Sequence, residues 1–203
     1  MGLDSYLEKY PRYKNAKPSD IYFIENYFSW KVAKSEGNPR ANCTLKKWCG
    51  RDYKDLNRDF VGFYRPHYTE KFYLWDKACQ YGHFSITQEI GYWRKVNCVH
   101  NWFVKNVQHG VDDCGAYIVT EVQLRNLLNV CKKVIDVAIV EEEQIVNYDD
   151  VETILPTVGG FFFGGTSYDL YYLDDVKMTI EILERVLKET DFSEEVVYYS
   201  SSW

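Results

Sequence analysis

The chain predicts an α+β fold: a small mixed or antiparallel sheet of four or five strands with about four helices packed mainly on one face. Three observations lead there. Several segments place apolar residues at the 3.6-residue helical period. Short apolar runs of strand length fall between them in irregular order, which suits α+β better than a doubly wound fold. The 203 residues show no internal repeat and suffice for one buried core.

Taken in order, Leu3 to Tyr10 mixes apolar and charged residues like a half-exposed strand, and Pro11 ends it. After Pro18, Ser19 can cap a helix with Ile21, Ile24, Phe28 and Val32 on one face, closed by Gly37-Asn38-Pro39. Residues 36 to 70 hold no sustained period and read as an irregular insertion in a single domain spanning 1 to 203. A strand is expected within Lys71 to Tyr81. Ser85-Ile86-Thr87-Gln88 has the capping-box pattern and predicts a central helix from Glu89 to Val107.

Asp112-Asp113-Cys114-Gly115 reads as a turn and Ala116 to Val119 as a short strand. Thr120-Glu121-Val122-Gln123 repeats the capping box and opens a helix with Leu124, Leu127, Leu128, Cys131 and Ile135 inward. Glu141 to Pro156 is acidic and reads as a linker or lid, and Phe161-Phe162-Phe163 as a buried strand. Leu173, Val176, Ile180, Leu183 and Leu187 mark a last amphipathic helix, and Glu195 to Tyr199 a closing strand.

Charge is divided unevenly. Residues 1 to 110 carry 18 Lys/Arg against 11 Asp/Glu, whereas 111 to 203 carry 6 against 19, so the net −6 conceals a basic half that could face an anion. No Lys/Arg cluster is denser than Lys46-Lys47 or Arg94-Lys95, and the total charge is negative, which argues against general nucleic-acid binding. No run is long and apolar enough for a membrane span, and the charged first residues do not resemble a signal peptide; a cytoplasmic setting is expected. There the six cysteines are expected as free thiols. Cys98-Val99-His100, Cys79 with His83 and Asp112-Asp113-Cys114 lack metal-ligand spacing, so neither a metal nor a cofactor is expected.

Two stretches carry chemistry. On the expected central helix, Glu89, Trp93, Asn97 and His100 would share one face within about 80°. That face could wall a pocket, with Trp93 or Tyr92 stacking, Asn97 and His100 reading polar edges, and Arg94 meeting phosphate. The same four residues could instead complete the core and tie down a loop. The second stretch, Gly159 to Asp169, passes through Phe163, Gly164, Gly165, Thr166 and Tyr168 into a helix, a place where backbone N–H groups can meet an anion. Those glycines equally permit an ordinary tight turn, and Asp169 an ordinary N-cap. Aromatics make up 17% of the chain, enough that many must lie at surfaces, where Tyr and Trp suit base stacking or a protein partner.

Met1-Gly2-Leu3-Asp4, the run Glu89 to Asn97 (EIGYWRKVN), His100-Asn101-Trp102-Phe103-Val104, Asp112-Asp113-Cys114, Phe161-Phe162-Phe163-Gly164 and Ser201-Ser202-Trp203 together resemble a family of small tailed-bacteriophage proteins. The likeness spans nearly the whole chain except residues 36 to 70. It implies a setting, a phage accessory protein in the host bacterial cytosol, and it assigns no catalytic residue. By analogy of setting, a counter-defence role follows: binding of a small anionic, nucleotide-type ligand, such as a host immune signal, without catalysis. Two alternatives stand beside it, a hydrolase or phosphodiesterase using His100 and Glu89, and a protein inhibitor docking through exposed aromatics. Homo-oligomer formation stays open.

Overall fold

A computed structural model describes residues 2–55, 58–63 and 85–203. The chain divides into two compact units, one formed by the first nine residues with 89–203, the other by 10–88.

The first unit has a four-stranded antiparallel sheet, as the α+β expectation requires. Its strands are β1 (Asp4–Pro11, which runs on into the second unit), β2 (Gln88–Arg94), β3 (Tyr117–Val119) and β6 (Glu195–Ser202), in the order β2-β1-β6-β3. Tyr117 stands opposite Tyr199 and Val119 opposite Val197. Alternate residues of every strand point into one core: Leu7, Trp93, Val119, Val197 and Tyr199. Helices cover that face. These are α3 (Asn97–Asn106), α4 (Glu121–Val137), α5 (Tyr148–Ile154) and α6 (Leu170–Glu189). They supply Val99 and Phe103, Leu124, Leu127 and Val134, Val151, then Val176, Leu183 and Val186 to the same core.

The cap of α4 is the expected one: Thr120 accepts the Gln123 N–H while the Gln123 side chain accepts the Thr120 N–H at 2.9 Å. Glu141 to Pro156, expected as linker or lid, instead holds a hairpin of β4 (Val140–Glu141) and β5 (Gln144–Ile145), followed by α5.

In the second unit, α1 (Pro18–Ser35) buries Ile21, Ile24, Phe28 and Val32 as expected, although Lys17 rather than Ser19 is its N-cap. Part of the expected irregular insertion is helical. A 3-10 turn at Pro39–Ala41 leads to α2 (Leu45–Cys49), capped by Thr44 and closed by Gly50 at φ +79°, and a second turn at Tyr53–Asp55 precedes helical residues 58–63. The strand expected within Lys71 to Tyr81 lies outside the described residues.

The central helix is the main correction. Residues 88–94 form β2, and α3 begins only at Asn97. Ser85 and Thr87 cap no helix. The Ser85 hydroxyl and the Ile86 and Thr87 N–H groups all donate to the Glu25 carboxylate, at 3.1, 2.6 and 3.0 Å. That carboxylate's pKa is raised because burial outweighs these hydrogen bonds. Phe161-Phe162-Phe163 is likewise no buried strand: it is a turn with Phe162 at φ +61° and only Phe163 inside.

Among the described residues the cysteines are free thiols, and no helix is long and apolar enough to cross a membrane.

Candidate functional site

The polar row expected on one helix face is split by the strand. Glu89 is exposed on β2. Trp93 is fully buried, its indole donating to the Thr179 hydroxyl at 3.0 Å and its ring tilted against Phe103. It is core, with no face free for stacking. Tyr92, on the opposite side of β2, donates to Asp4, which also pairs with Arg94 at 3.4 Å.

His100 is 1% exposed and has both ring nitrogens engaged, Nδ1 with the Tyr199 hydroxyl at 2.8 Å and Nε2 with the Asp112 carboxylate at 3.0 Å. The second Asp112 oxygen accepts the Trp203 indole N–H, and Tyr199 donates to Ser5. Phe163 sits edge-on to His100 and packs against Trp203. Thus α3 and the turn that follows it meet β6, about a hundred residues on, at one clamp. Burial pushes the Tyr199 phenol well above its ordinary range, so it serves here as a neutral hydrogen-bonding group.

Asn97 has a different task. Its amide donates to the carbonyls of Phe163 at 3.3 Å and Gly165 at 2.7 Å, and its oxygen accepts the Val158 N–H at 3.0 Å. Thr157 completes the hold, donating its hydroxyl to Thr166 O and its N–H to the Tyr168 hydroxyl. One helix residue and one loop residue therefore fix the glycine-rich stretch in place, so the two regions singled out in the sequence are neighbours.

Between them lies a cavity of about 350 Å³, at the small end of ligand pockets, which run from roughly 300 to 1,000 Å³. Arg94, Lys95, Asn97, Cys98, Gly164 and Gly165 line it, together with Thr157, Ser167 and, from the start of α6, Asp169, Tyr171, Tyr172 and Asp175. Of the expected residues, Arg94, Asn97, Gly164 and Gly165 are on this lining. Glu89, Tyr92, Trp93, His100, Phe163, Thr166 and Tyr168 are not, although the last two hold its wall. Lys95, Asp169 and Asp175 were not singled out as ligand-binding. The sequence does mark Asp169, Tyr172 and Asp175 at intervals of three, which places them on one face of α6.

The backbone at this cavity is unusual. Lys95 takes φ +61° between β2 and α3, a left-handed conformation that costs a non-glycine residue roughly 1–2 kcal/mol. Gly164 has φ +97°, and a Cβ there would lie 2.7 Å from the Lys95 carbonyl oxygen. Only glycine fits that approach. The N-terminus of α3 opens onto the cavity through Asn97 and Cys98, and its N-cap, Val96, offers no side-chain acceptor. Asp169 is different: its carboxylate caps α6 by accepting the Tyr172 N–H at 3.1 Å.

Burial, reinforced by the charges of Asp174 and Asp169, pushes the Asp175 carboxyl up to about 6. The folded protein thus disfavours its ionised form. Stability on this account is greatest below the ordinary carboxylate pKa and declines as pH rises through about 6. Asp175→Asn should therefore stabilise the fold at pH 8, by about 1 kcal/mol after solvent screening of a half-buried group, and the gain should vanish near pH 4. Urea melts of both proteins at the two pH values check this; a variant less stable at pH 8 would contradict it.

The molecule is thus an α+β protein with a small mixed-charge pocket where β2 turns into α3. Comparison with protein-family models, curated proteins and solved structures returns no match for the chain.

Proposed function

We propose that the protein binds a small anionic ligand of nucleotide type in this pocket, without catalysis. The observation that carries the reading is the meeting of two cations, Arg94 and Lys95, with the uncapped N-terminus of α3 and the Gly164-Gly165 turn around one cavity. Positive charge and helix-terminal N–H groups are the ordinary physical basis of phosphate capture.

Asp169 and Asp175 make the lining mixed in charge, which suits a ligand that carries hydrogen-bond donors as well as an anionic group. Catalysis by His100 and Glu89 finds no support. One is buried in the clamp and the other is exposed on a strand. In the phage setting that the resemblance implies, such a protein would sequester a host signalling nucleotide.

Calorimetric titration of the wild-type protein and Lys95→Gln with inorganic phosphate and with nucleoside monophosphates tests the reading. The variant keeps the side-chain stem and loses the charge. At least a tenfold loss of affinity is expected, about 1.4 kcal/mol, with recovery of the bound ligand unchanged after heat release. Absence of binding to the wild type, or undiminished binding to Lys95→Gln, would sink the proposal. Release of a cleaved product would favour a hydrolase.

A further inference from the structure

Next to this pocket the loop presents two aromatic rings to solvent. Phe161 is 82% exposed and Phe162 54%, and their centroids lie 4.3 Å apart. Phe162 also takes φ +61°, so a bulky apolar side chain occupies a turn position that glycine or asparagine would fill at lower cost. The backbone of this turn is tied down. Leu3 donates its N–H to the Phe162 carbonyl at 3.3 Å, and its own carbonyl accepts the Lys95 N–H at 2.7 Å, which ties the aromatic turn and the lysine to one residue. The side chains of Phe162 and Lys95 both flank Gly2. A Cβ on Gly2 would lie 3.4 Å from Lys95 Cε and 3.9 Å from Phe162 Cβ.

Two adjacent exposed apolar rings, one of them at a strained backbone position, are uncommon unless something covers them. What borders them is a cation at the mouth of a small cavity, so charge complementarity selects an occupant with an anionic group and a flat apolar face. The two ring planes are tilted by 58°, so we infer that Phe161 and Phe162 form a platform in which one ring stacks on the planar ring of a ligand, with the other against its edge, and that the ligand's anionic group is held at Lys95. The ligand class is then a nucleotide, with its base outside the cavity and its phosphate at the mouth. This inference rests on the pocket reading above and replaces Trp93 and Tyr92 as the stacking residues.

Adenosine and cytidine 5′-monophosphates and ribose 5-phosphate are the probes, titrated against wild type, the double variant Phe161→Ala/Phe162→Ala and the conservative pair Phe161→Tyr/Phe162→Tyr. Stacking accepts any base, so both nucleotides should bind the wild type roughly tenfold or more tighter than ribose 5-phosphate. The alanine pair should lose that difference while keeping its melting temperature and its affinity for ribose 5-phosphate, and the tyrosine pair should keep it. If nucleotides and ribose 5-phosphate bind the wild type equally, the platform is refuted and the anion pocket stands. If none of the three binds, both readings fail. A difference that persists in the alanine pair overturns the platform and leaves the rings to a protein partner.

Discussion

Trp93→Ala is expected to cost about 3–5 kcal/mol of stability, the range for truncating a fully buried tryptophan. The ring is enclosed by the core and its N–H has a partner in Thr179, whose hydroxyl also donates to the Asp175 carbonyl at 2.7 Å. Truncation therefore leaves both a cavity and a reorganised polar contact on α6. Trp93→Phe fills most of the space and should cost clearly less. Any effect of Trp93→Ala on ligand binding should follow unfolding, appearing only at temperatures or denaturant concentrations where the variant melts. Chemical denaturation followed by titration under conditions where the variant is folded checks both parts. A variant of wild-type stability that had lost its ligand would return Trp93 to the pocket.

The reason the sequence suggested otherwise is physical. From 86 to 107 the apolar residues satisfy a helical period well enough, and Ser85 with Gln88 has the spacing of a capping box. At Thr120 and Gln123 the same pattern does close on itself, because the two residues are each other's nearest partners. At Ser85 a carboxylate from α1 competes and wins, and no sequence window contains both Glu25 and Ser85. Gly91 adds a second distant term: a Cβ there would lie 2.8 Å from Ile182 Cγ2 and 3.3 Å from Leu7 Cβ. Close packing against β1 and α6 thus favours an extended backbone where local propensity was ambiguous.

Elements whose stabilising contacts are local were legible, such as α1, α4, α6 and the Asp169 cap. The same division runs through the site. Arg94, Asn97 and the Gly164-Gly165 turn could be read from residue type, since a cation, an amide and paired glycines beside an expected helix start suggest an anion. Lys95 stands beside Arg94 as a second cation that could meet solvent or a phosphate, but no motif announces its left-handed φ. The exposure of Phe161 and Phe162 could not be read either: three consecutive phenylalanines ordinarily mean burial, and here only the third, drawn in beside His100 and Trp203, obeys.

Asn97→Ala is the second large effect expected, and it joins fold and site. Asn97 is 3% exposed and satisfies two carbonyls and one N–H of the loop that walls the pocket. Alanine removes every one of those bonds without offering water a ready route to the groups left behind, and an unsatisfied buried group costs roughly 1–3 kcal/mol. With partial relaxation of the loop, a loss of about 3 kcal/mol is expected. Binding should also fall at temperatures where the variant is folded, because Gly164 and Gly165 are no longer held against Lys95. Asn97→Asp separates the donor and acceptor parts: it retains the acceptor for Val158 but places carboxylate oxygens against the Phe163 and Gly165 carbonyls. It should be at least as destabilised as alanine at pH 8 and recover in part at low pH, where a protonated carboxyl can donate once more. Denaturation of the three proteins at pH 8 and pH 5 measures this. Equal stability of Asn97→Ala and wild type would show that the loop is held by Thr157 and its own turns, and that the amide is free to meet a ligand instead.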